Sequence, residues 1–363
     1  MAILQKYFRS DASAPCRFVL RYVLKYENIQ FQQAVFYLNL NSYIQNKIFR
    51  NPKNSRAPMS RKNISGKTSF YLVKSILLLT RIFPLKMSYS FCDFIVFAGS
   101  GIKFKRKKIA LNNLRIVFPE KTENEREAIL RESLRKTLKS FFEFAHFING
   151  KYNSEKILRM ADATGLEYLD NLKARRQGAL LYSGHFGNFP LMIIWLALRG
   201  YPIAAIYKEA KNLPDDFFGN ELSKFNVTPL KYKSDSALII SIIKSLKEGK
   251  IVLIQNDQSH PEGIYINFFN KYVPSPAGPA LLAKRVGVPV IPAYICRDRY
   301  NHHSITILPE IPLQPEEDHE KFLKVNTQLL IDWIAEILLK HPTEWLWMHN
   351  RWKRAKDRKD SSE

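Results

Sequence analysis

The segment Tyr182-Ser183-Gly184-His185-Phe186-Gly187-Asn188-Phe189-Pro190 concentrates the chain's chemistry-bearing residues. An apolar run of strand length, GALLYSG at 178–184, ends on small residues, and a histidine follows it. The C-terminal edge of an α/β sheet is where ligands bind. A neutral imidazole placed there can take a proton near physiological pH. Gly187 would let backbone approach a substrate closely. Asn188 would open a helix whose first N–H groups are free to meet a developing oxyanion. The same spacing suits a histidine that only caps the helix.

A second apolar run, IVLIQ at 251–255, ends at Asn256-Asp257-Gln258. Asp257 and Gln258 would stand on the same sheet edge as His185, or simply close a strand-end turn. Pro276-Ala277-Gly278-Pro279 leads into a helix whose N-terminus, at Gly278, attracts phosphate. Lys208 and Arg297 each close a strand, and Arg285 lies in an intervening helix. The three are candidates to bind phosphate together; singly, each reads as a solvated charge. Arg351, Lys353 and Arg354 beside Trp345, Trp347 and Trp352 suit a membrane-interface belt, or core tryptophans with a basic tail. His302-His303 reads as a hairpin turn without a role, and an adjacent pair is no metal site. GxGxxG, GxxxxGK[ST], HExxH and GxSxG are all absent.

Strands and helices must alternate to position these groups. Thr122 to Glu125 is a capping box opening a helix toward Phe147, with Ile129, Leu134, Leu138, Phe141 and Phe142 inward. Helices are expected over 189–198, 236–247 (stopped by Gly249), 279–286 and the segment around Leu329 to Leu338 that Pro342 ends. Strands are expected over 203–207, 251–255, 290–296 and 304–308. The alternation predicts an α/β fold, a mixed, mostly parallel sheet flanked by helices.

The 363 residues carry 56 Lys and Arg against 33 Asp and Glu, a net charge of +23, which calls for an anionic partner. Nucleic acid fits the charge and the aromatics, but none of its binding motifs is present, so no nucleic acid is expected. Three scattered cysteines exclude a disulfide scaffold and a cysteine zinc site. Residues 1–66 hold eleven Lys or Arg against Asp11 and Glu27 and read as a weakly ordered basic extension with a linker at 51–67. No secretory signal is expected, since no apolar h-region precedes a small-residue cleavage site. Ser69 to Ala98 is apolar but interrupted by Lys74, Arg81, Lys86 and Asp93. It predicts an amphipathic helix lying in the membrane surface, helped by the basic cluster Lys103 to Lys108. The expected organisation is 1–66 extension, 67–160 helical membrane-associated region, 161–353 α/β domain and 354–363 charged tail.

Four blocks in order, IALNNLRIVFPEKTENEREAI at 109–129, the His185 segment, 256–297 and HPTEWLWMHNRWK at 341–353, resemble the late lipid A acyltransferases, the bacterial branch of the lysophospholipid acyltransferase superfamily. The resemblance covers residues 67–353. It implies a glycerolipid acyltransferase-like fold and transfer of a fatty acyl chain from acyl carrier protein or acyl-CoA to a hydroxyl of an anionic glycolipid. The setting would be the cytoplasmic face of a bacterial inner membrane, and no metal or bound cofactor is required. His185 would be the base, with Gly187, Asn188, Lys208, Gln258, Gly278, Arg285 and Arg297 toward the substrates. The family's pattern is His, four residues, then an acid; here the acid's place is Pro190. Three readings follow: another carboxylate substitutes, Asp257 first; the histidine acts unassisted; or the protein is catalytically altered.

Overall fold

The computed structural model describes residues 78, 80–99, 101, 105–208 and 216–356. The basic extension 1–66, the linker, Lys103 and the last residues of the charged tail lie outside them. Helix α1 (Leu85–Gly99) starts after a break at Pro84, which cannot continue a helix from the preceding turn, so the segment expected as one amphipathic helix is divided there. Helices α2 (Lys105–Val117) and α3 (Glu123–Ile148) follow, and α3 opens with the expected reciprocal box between Thr122 and Glu125. A short α4 (Ser154–Leu158) leads to strand β1 (Ala161–Thr164) and helix α5 (Leu166–Ala174).

The alternating part then runs β2 (Ala179–Ser183), α6 (Phe189–Leu198), β3 (Ile203–Tyr207), α7 (Phe217–Ser223), β4 (Thr228–Lys231), α8 (Asp235–Lys247) and β5 (Ile251–Gln255). A hairpin of β6 (Ile264–Asn267) and β7 (Tyr272–Ser275) intervenes. Then come α9 (Gly278–Val286), β8 (Val290–Arg297), β9 (His303–Ile307) and α10 (His319–Lys340). The main sheet has the order β1-β9-β8-β2-β5-β3-β4. Its neighbours are parallel except β8 with β9.

Side-chain alternation divides two cores between the sheet's faces. Leu180, Tyr182, Ala204, Ile206, Val252 and Ile254 face α2, the start of α3, α8, α9 and α10. Ala179, Leu181, Ile203, Ala205, Ile251 and Leu253 face α5, α6, α7 and the end of α3. Helices α2 and α3 thus share their cores with the sheet. Both faces are covered, so the central strands are fully buried and read as continuous apolar runs. Among the described residues no helix is long and apolar enough to cross a membrane.

Candidate active site

Strand order makes the site. β2 and β5 are adjacent and parallel, with Ser183 opposite Gln255. Two residues beyond each strand end stand His185 and Asp257. Asp257 Oδ1 lies 2.5 Å from His185 Nδ1, and Oδ2 accepts the His185 backbone N–H at 3.0 Å. Trp345 Nε1 donates to the same Oδ2 at 2.7 Å. The dyad's side chains are only 3% and 2% exposed, so its electrostatics act with little water to screen them. Burial would raise the Asp257 pKa, but His185 and the three donors hold it down at about 2. An ionised carboxylate can only accept, so Nδ1 carries the imidazole proton and Nε2 holds the basic lone pair.

The C-terminal block closes over this pair. Phe186 bridges to Trp345, and Gly187 N–H donates to the Glu344 carbonyl at 2.9 Å. Ser133 of α3 donates to the Trp345 carbonyl at 2.6 Å. Asn113 of α2 holds the carbonyls of Trp347 and His349 at 2.8 and 2.6 Å. Lys136 of α3 pairs with Glu344 at 2.5 Å. Helices far back in the sequence therefore hold the tryptophan that orients Asp257.

The model of the bacterial lipid A biosynthesis acyltransferase family matches residues 59–354. The chain belongs to this family. It is 23% identical over 260 residues to the lipid A biosynthesis palmitoleoyltransferase of Escherichia coli K12, covering 69% of this chain and 79% of that one. It is 27% identical over 240 residues to the lipid A biosynthesis myristoyltransferase of the same strain, covering 65% and 72%. A phosphatidylinositol mannoside acyltransferase of Mycobacterium tuberculosis is 24% identical over 208 residues, covering 55% and 63%. The protein is an acyltransferase, and the dyad lies inside the matched region.

Several residues expected at the substrate make contacts within the protein in this acyltransferase. Arg297 is buried with its guanidinium on Glu143, at 2.5 and 2.8 Å, because the end of β8 runs beneath α3. Asn188 is fully buried and caps α6, its Oδ1 accepting from Leu191 N–H at 3.1 Å and its Nδ2 donating to Glu143 at 2.6 Å. Gly187 is needed for packing: its φ is +51°, and a Cβ would stand 2.3 Å from the Ile295 carbonyl oxygen. His303, expected in a turn, begins β9 and contacts Glu143 at 3.2 Å. Trp345, Trp347, Trp352 and Arg351 are core rather than an interface belt. Arg351 donates to the Pro274 carbonyl at 2.9 Å and to Ser275 Oγ, holding the hairpin to the closing block.

The other expected residues lie at or near strand ends and on α9. Lys208 follows β3, with Nζ 5.1 Å from the Tyr232 ring centre. Gln258 follows Asp257 and is buried. Gly278 opens α9 with open space where a Cβ would point, and Arg285 is exposed on that helix. Pro190 occupies the first turn of α6, where the missing N–H costs no helical bond. Composition and spacing give Glu143 no role, and give Trp345 none beside Asp257. The one available signal for Glu143 was an acid inside an aromatic run, FFEFAHF at 141–147.

Proposed function

We propose that this acyltransferase moves a fatty acyl chain from an acyl thioester, on acyl carrier protein or coenzyme A, to a hydroxyl of a lipid A precursor or related anionic glycolipid. The observation that carries the chemistry is the pairing of Asp257 with His185 Nδ1, which leaves Nε2 as the base. Nε2 takes the proton of the acceptor hydroxyl as its oxygen attacks the thioester carbonyl. The tetrahedral intermediate collapses with C–S cleavage, the imidazolium returns the proton to the departing sulfur, and the ester remains. Asp257 stabilises the imidazolium in between, as the buried carboxylate of a serine-protease triad does. Lys208, Gln258, Arg285 and the α9 N-terminus at Gly278 would receive the anionic groups of acceptor or carrier. The lipid A and phosphatidylinositol mannoside relatives support a membrane glycolipid as acceptor.

The place of action would be the cytoplasmic face of a bacterial inner membrane, with the N-terminal helical region in its surface. Supporting this, α1 turns Met87, Phe91, Phe94 and Phe97 outward, at 52%, 45%, 45% and 78% exposure. Lys105 and Lys108 stand exposed at the start of α2, and the chain's +23 charge favours anionic lipid. Pro190 in the family's acid position suggests a catalytically altered protein, but Asp257 provides a carboxylate where the imidazole needs one. Mass spectrometry of lipid A from cells with and without the protein tests the assignment. One acyl chain should be missing without it; an unchanged lipid A profile would overturn the acceptor.

A further inference from the structure

Glu143 of α3 is 0% exposed and gathers four elements. Tyr89 of α1 donates its hydroxyl to Oε1. Arg297 at the end of β8 donates at 2.5 and 2.8 Å, and also reaches Ser140 Oγ at 3.1 Å. His303 Nε2 of β9 lies 3.2 Å from Oε2. Asn188 Nδ2 donates to Oε2 at 2.6 Å. Burial alone would push the carboxyl up, but Arg297 and His303 outweigh it and hold Glu143 ionised. Beside Tyr89, Arg297 and His303, the amide of Asn188 is a further partner of this carboxylate, with its own consequence.

Asn188 is used in both directions. Its oxygen accepts from the α6 backbone while its NH2 donates to Glu143, so the amide has one permitted orientation. A turned amide would set its oxygen against a carboxylate and its NH2 against a backbone N–H. Two residues separate Asn188 from His185, and of these Gly187 is fixed by its left-handed φ and its N–H bond to Glu344. The turn is thus held at one end by Asp257 on the His185 N–H and at the other by Glu143 on Asn188.

We propose that Glu143 is a positioning residue for the base: through Asn188 Nδ2 it fixes the 185–188 turn and so the direction of His185 Nε2. Helix capping alone would be served by serine or aspartate, both strong N-caps. Asparagine adds a donor long enough to reach Glu143 while its oxygen stays on the cap. The inference rests on His185 being the base, so the experiment keeps the two claims separate.

Asn188→Ser retains a cap oxygen and deletes the donor to Glu143. In steady-state assays of the full-length protein with acyl-carrier thioester and a lipid A precursor, kcat should fall about tenfold or more, since small misplacements of a catalytic group are costly. KM should stay within about twofold and thermal melting close to wild type, because the substrate contacts and the cap persist. Asn188→Asp places a second carboxylate at the Glu143 contact. One of the two should then hold a proton more tightly and restore the hydrogen bond, so its kcat relative to wild type should rise as pH is lowered. If Asn188→Ser fails to fold, that pH signature decides. A folded Asn188→Ser with kcat within about twofold of wild type, or an Asn188→Asp profile parallel to wild type, overturns the inference. His185→Ala in the same assay separates the claims: full activity there removes the base itself, whereas an inactive His185→Ala beside an unimpaired Asn188→Ser removes only the role of Glu143.

Discussion

In the proposed reaction His185 would use Nε2, because Nδ1 is engaged by a carboxylate that only accepts. Asp257→Asn can offer Nδ1 an amide NH2 instead, favouring the wrong tautomer. Its kcat should fall by about 100- to 10,000-fold with little change in KM; an unchanged kcat would remove Asp257 from the mechanism. Gly187→Ala belongs to stability: the new Cβ meets a backbone oxygen at 2.3 Å and the φ of +51° disfavours it. A loss of about 1–3 kcal/mol in denaturant unfolding is expected, and unchanged stability would contradict the packing account. At this scale His185 and Asp257 are legible from the sequence, since each is a polar residue two positions past the end of an apolar strand. Arg297 is not, because a cation after a strand reads alike whether solvent or a distant helix covers it. Its partner, Glu143, lies 154 residues away.

Between residues and molecule stand the elements, and α1 is the informative one. Its inner side is small or polar, with Ser88 on His146 at 3.1 Å and Cys92 buried, while its outer side carries the aromatic rings. Helix and membrane surface would therefore meet through the exposed parts of these side chains. Phe94→Asp with Phe97→Asp should lower co-sedimentation with anionic vesicles by about tenfold or more, from the apolar area no longer buried in lipid. Turnover on detergent-dispersed substrate should persist; vesicle binding equal to wild type would contradict the assignment of this face. High salt and mild detergent together should release the protein, and release by salt alone would reject apolar insertion. The apolar strands β3 and β5 are legible from sequence to the residue, and β2 to within one residue at each end. β1, β4, β6 and β7 are not: each has four residues, β1 is the tetrapeptide ADAT, and β4 and β7 contain Pro229 and Pro274.

For the whole molecule, what the sequence withholds is strand order, since adjacency of β2 and β5 depends on which helices cover which face. That adjacency is what turns two strand-end residues into a dyad. The same burial gives the fold a pH dependence. Burial depresses the pKa of His146 and His260 to about 4 and of His349 to about 3. The unfolded chain binds those protons from about pH 6.5 downward while the folded chain refuses them, so stability is highest above that pH and falls as pH drops toward 4. The urea midpoint should decrease between about pH 7 and 5; a flat midpoint would mean these imidazoles charge freely in the fold. The central claim, acyl transfer with His185 as base, is tested most directly by single-turnover transfer from an acyl-carrier thioester to a lipid A precursor, wild type against His185→Ala. The rate should fall by about 100- to 10,000-fold while vesicle binding is unchanged; near-native transfer by His185→Ala would contradict it.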